Sequence, residues 1–166
     1  MTPFACTAGI FVLVISGMAA AYLVRRRKRS SALEALRAQA ASEPLELRST
    51  FPTVVSAQAR HLATILMEAS ADAKTAGLQT AAGDLGVTDR EVVFGVNEAI
   101  ALSRVREAVL LPVFEGRAAG EFGALLRVSW TRGGVRLASV FAVPGGRLDA
   151  ERVRKEIHIR VAMASR

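Results

Sequence analysis

The chain has 166 residues, 51% of them hydrophobic, and carries 22 basic against 15 acidic side chains for a formal charge of +7. Its one cysteine excludes an internal disulfide and any metal site built from several thiolates. Five of the positive charges are consecutive, Arg25, Arg26, Arg27, Lys28 and Arg29; from residue 30 onward 17 basic side chains face 15 acidic ones, which is not the balance of a nucleic-acid-binding domain.

Phe4 to Val24 is an uncharged, apolar run of 21 residues. As a helix it would be about 31 Å long, matching the ~30 Å hydrocarbon core of a bilayer, so 4–24 is predicted to be a single transmembrane helix. Only Met1, Thr2 and Pro3 precede it and the five cations follow it. Positive flanks stay inside, which predicts an inner (plasma) membrane protein with its N-terminus outside and its remainder cytoplasmic. Arg25 to Arg29 would then contact anionic lipid head groups at about 1 kcal/mol per cation. Ala19-Ala20-Ala21 resembles a signal-peptide cleavage site, but the charges lie on the wrong side of the apolar core for one. Cys6 lies too near the start to follow a lipoprotein leader and reads as a small apolar residue of the span. Ala5, Gly9, Gly17 and Ala21 fall on one face of that helix, where a second helix can pack closely.

Residues 25–55 read as a basic juxtamembrane segment and linker. Leu33, Leu36 and Ala40 recur at helical spacing, Ser31 with Glu34 makes a capping box, and Pro44 ends the helix. Residues 56–166 read as a small cytoplasmic α+β domain. A helix is predicted from Ser56 to Thr75, with Leu62, Ile65, Leu66 and Ala69 as its apolar stripe and His61 beside it. A second is predicted from Thr88 to Leu111, opened by Thr88 with Glu91 and bounded by Pro112.

Beyond Gly116, Gly120 and Gly123 the period changes to two. Phe122 to Thr131 and Val135 to Val143 alternate around Gly133-Gly134, which predicts a β-hairpin. Asp149 caps a short helix, and Ile157, Ile159, Val161 and Met163 alternate as a third strand; one helix through Val153, Ile157 and Val161 is the other reading of this tail. The fold class expected is α+β: a transmembrane helix, then two to three helices and an antiparallel sheet of two to three strands.

Ala82, Leu85, Gly86, Val87, Thr88 and Val92 resemble the helix-turn-helix signature of bacterial regulators over 78–97, as small residue, turn glycine, cap and apolar anchor. That resemblance implies DNA binding by the second helix. The pattern departs at Gly95, and the helix would present Asp89, Arg90, Glu91, Phe94, Asn97 and Glu98, a net-acidic face toward a polyanion. No phosphate loop, metal spacing or nucleophile elbow occurs, so no catalytic residue, cofactor, metal or small-molecule substrate is expected. Arg outnumbers Lys 19 to 3, the usage of a GC-rich, bacterial genome.

The function expected is therefore that of a single-pass accessory or scaffold protein whose small domain binds protein partners, or itself, in a membrane assembly. A membrane-tethered DNA-binding regulator is the alternative. An enzyme using Glu115, Glu121 or a histidine stands third.

Overall fold

The computed structural model describes residues 30–43, 52–67, 81–95 and 98–164. The chain divides into two compact units, Met1–Gln39 and Ala40–Arg166. Helix α1 covers residues 30–42. Among its described residues the second unit carries nine strands: β1 (Val55–Leu66), β2 (Ala81–Val87), β3 (Glu91–Phe94), β4 (Glu98–Ala101), β5 (Val105–Leu111), β6 (Val113–Phe114), β7 (Arg117–Ala118), β8 (Leu125–Arg132) and β9 (Val135–Ala142). Helix α2 (Arg147–Ala164) follows.

Seven strands form one antiparallel sheet in the order β4-β3-β2-β1-β9-β8-β5, and β6 pairs with β7 alone. In a flat sheet its two edges, β4 and β5, would lie about 29 Å apart at ~4.8 Å per strand. Yet a single 3-10 turn, Leu102–Arg104, joins them. Four Cα steps reach at most about 15 Å. The sheet must therefore roll, bringing its edges toward each other around a shared interior. Strand β1 makes this possible: it pairs with β2 through Val55–His61 and with β9 through Arg60–Leu66, shifting register at His61/Ala63. A bulge there bends the strand and adds twist.

The interior is one apolar cluster drawn from both halves of the sheet. It joins Ala57, Leu85 and Val92 on one side to Val105, Leu126 and Phe141 on the other. Ala150, Val153 and Ile157 of α2, all fully buried, seal it. A smaller cluster lies on the outer face, where Leu62, Leu125, Val140 and Ala142 meet Phe114, Ala119 and Phe122.

This architecture corrects the expected fold class. The predicted helix over Ser56 to Thr75 is strand β1 in its described part, and its burial alternates from Ser56 to His61 as a strand's does. The predicted helix over Thr88 to Leu111 is β3, β4, the 3-10 turn and β5. The tail is helix α2 and not a third strand. Both strand errors share a cause: a rolled sheet with covered patches outside leaves apolar residues on both faces, and that blurs the period-2 signal. The hairpin around Gly133-Gly134 is present, with positive φ at both turn residues, as a type I′ turn requires.

The predicted span 4–24, with Ala5, Gly9, Gly17 and Ala21, and the cations Arg25, Arg26, Arg27, Lys28 and Arg29 lie outside the described residues. Among those described, no helix is long and apolar enough to cross a membrane. Among the described residues the structure is a large antiparallel sheet with two helices; it does not show the transmembrane helix and does not support the inner-membrane placement expected from the sequence.

Candidate functional site

The outer face of β1 and β2 carries an open cleft of about 610 Å³. Register explains its floor. Arg60 lies directly opposite Ala82 on β2 and Ala142 on β9, so a long cationic side chain stands between two methyl groups. Gln58 is paired with Asp84 one step along, on the same face. Small neighbours leave room above the floor, and no hydrogen bond or ion pair holds the Arg60 guanidinium among the described residues. An arginine presents five donors in a planar fork suited to carboxylates and carbonyls.

The wall comes from the loop after β7. Phe122 packs on the outer cluster, and Pro144 lines the same cleft beyond β9. Glu121 sets the loop: its carboxylate accepts from Arg117 Nε at 3.0 Å and from the Ala118 amide at 3.1 Å. The Arg117 hydrogen bond first, then that of Ala118, holds the Glu121 carboxyl below the ordinary carboxylate range. The Arg117 guanidinium also lies over the Phe122 ring, 4.6 Å from its centroid. Gly123 (φ 83) returns the chain to the sheet, where a Cβ would stand 2.5 Å from the Val143 carbonyl oxygen. Only glycine fits that position. The cleft thus has a free cation on its floor, carboxylates of Asp84 and Glu121 at its sides, and an apolar wall.

The other residues singled out by sequence are dispersed. Glu115 occupies the β6–β7 turn with φ 50, exposed to solvent. His158 accepts a hydrogen bond from the Ala108 amide at 3.3 Å. Strand β5 is a sheet edge, so this contact caps one of its outward donors. His61 is buried against Phe94 and Phe141, with ring centroids 5.6 and 5.2 Å away. Its Nε2 lies 3.0 Å from Thr64 Oγ1, which is 2.9 Å from Ser139 Oγ, and Trp130 Nε1 donates to that serine at 3.1 Å. This chain of bonds joins His61, Thr64, Ser139 and Trp130 and satisfies polar groups inside the rolled sheet.

The helix-turn-helix resemblance loses its helices. Ala82, Leu85, Gly86 and Val87 lie on β2 and Val92 on β3, antiparallel to each other, while Asn97 lies outside the described residues. Among the described residues no three His, Cys, Asp or Glu side chains gather as metal ligands. Sequence reasoning missed Gln58, Arg60, Asp84, Phe122 and Pro144. The signal available was the alternation of Gln58 and Arg60 with Ala57, Ala59 and His61, visible once Ser56 to Leu66 is taken as a strand. No protein-family model matches this chain, and no curated protein does either.

Proposed function

We propose that the sheet domain is a protein-interaction module that takes a polypeptide segment into the cleft over Arg60. The observation that carries this reading is the unengaged Arg60 guanidinium on an alanine-flanked floor, beside the Phe122 wall. Its volume falls within the roughly 300–1,000 Å³ range of recognition pockets, and its open form admits a chain that enters and leaves. Arg60 would take a carboxylate or main-chain carbonyl of the partner, and Phe122 with Pro144 an apolar side chain. Arginine and aromatic side chains are the usual anchors of such surfaces.

The test is photo-crosslinking in the producing cell, with a photoreactive residue at Gln58 and, separately, at Arg106 on the exposed part of β5. A discrete adduct from position 58, absent from position 106 and lost with Arg60→Glu or Phe122→Ala, is expected. The same adducts from both positions, or none from position 58, would overturn the reading.

A further inference from the structure

Two opposite charges face the Arg60 cleft, and neither is engaged. Asp84 lies on β2 two residues beyond Ala82, the residue directly opposite Arg60, so the two side chains are diagonal neighbours on one face of the β1–β2 pair. Both residues are exposed and both line the cleft. Among the described residues no hydrogen bond or ion pair holds the Asp84 carboxylate, just as none holds the Arg60 guanidinium. The other carboxylate of the cleft, Glu121, is taken up by Arg117 and the Ala118 amide. Asp84 is therefore the acid left to a ligand.

Spacing then decides what kind of segment fits. Diagonal neighbours across an antiparallel pair lie roughly 7–8 Å apart. In an extended chain, residues i and i+2 point the same way and recur every ~6.6–6.8 Å. One extended segment thus sets two side chains over Arg60 and Asp84 at once. A segment that covers these charges without matching them strips both of water and leaves them unpaired, a cost that a matched segment avoids. Selectivity comes from that difference as much as from the new ion pairs.

We infer that the cleft selects an extended polypeptide segment with an acidic and a basic residue two positions apart, the acid on Arg60 and the base on Asp84. The pattern rests on the polypeptide-binding cleft proposed above and names the class of segment that enters it.

The test is selection of random twelve-residue peptides, displayed on phage, against the full chain, against Phe122→Ala, and against the exchanged pair Arg60→Asp with Asp84→Arg. The exchange keeps the net charge, so it controls for general electrostatic attraction. Peptides bound by the unsubstituted chain and lost with Phe122→Ala are expected to carry an acid and a base two residues apart, in one order. The exchanged protein should enrich the opposite order and bind the original peptides about tenfold more weakly. Arg60→Gln with Asp84→Asn, which should enrich neither order, serves if the exchanged pair does not fold. Peptides that need Phe122 but lack the pattern, or the same order from both proteins, would overturn the inference and leave the cleft as a polypeptide site. If no selected peptide were lost with Phe122→Ala, both would fall.

Discussion

At the scale of single residues, the same chemistry serves two structures, and this is where the sequence misleads. Thr88 with Glu91 reads as a helix-capping box because a hydroxyl can accept from an amide three residues on. In the β2–β3 hairpin Thr88 Oγ1 does accept from the Glu91 amide, at 3.0 Å, and from the Arg90 amide, at 3.2 Å. The side chain closes a turn here, as Ser and Thr do outside helices. Thr88 is buried. Thr88→Val, which removes this buried acceptor, is expected to cost about 1–3 kcal/mol by urea denaturation. Gly123→Ala forces a Cβ into the Val143 carbonyl at a positive φ, and its midpoint should fall for both reasons.

Glu121 gives a pH dependence with a definite sign. Its pKa in the folded chain lies below the ordinary value, with the Arg117 hydrogen bond as the first cause. Its contribution to the loop is therefore fully present above the unfolded-state pKa and is lost as pH falls through the depressed folded value. A carboxyl-carbon titration should place its midpoint below that of a free glutamate, and Arg117→Ala should raise it. A midpoint that does not move in that variant would remove Arg117 as the cause.

Among the elements, legibility followed the cleanness of the period and the turn. The β8–β9 hairpin was readable because Gly133-Gly134 allows an I′ turn and the alternation runs unbroken on both sides. Strand β1 was not, because Ala57, Ala59, Leu62, Ala63 and Ile65 combine good helix formers with a register shift after His61 that breaks the alternation. Tertiary pairing on both edges overrides that local preference. The start of helix α2 was legible from Asp149 and its second half only in the alternative reading: Ala150, Val153 and Ile157 are its buried face, while Ile159 and Met163, which suggested a strand, are simply exposed. Because Ile157 is fully buried in the interior cluster, Ile157→Ala should cost about 2–5 kcal/mol. A loss of about 0.5 kcal/mol or less, the range of exposed sites, would mean that α2 does not seal the interior.

For the whole molecule, the cleft was illegible because it exists only after folding. Its floor needs β1 between β2 and β9, which brings residues 58–60, 82–84 and 142–144 together, and its wall needs the 119–122 loop folded back onto the outer face. Interior and cleft both depend on β1 as the strand shared by the two halves of the rolled sheet. That claim is tested most directly by backbone NMR across β1. Cross-strand contacts are predicted from Ala57 to Leu85 on one side and from Thr64 to Ser139 on the other, with extended carbon shifts through residues 55–66. Helical carbon shifts and sequential amide–amide contacts over that stretch, or pairing on one side alone, would contradict it.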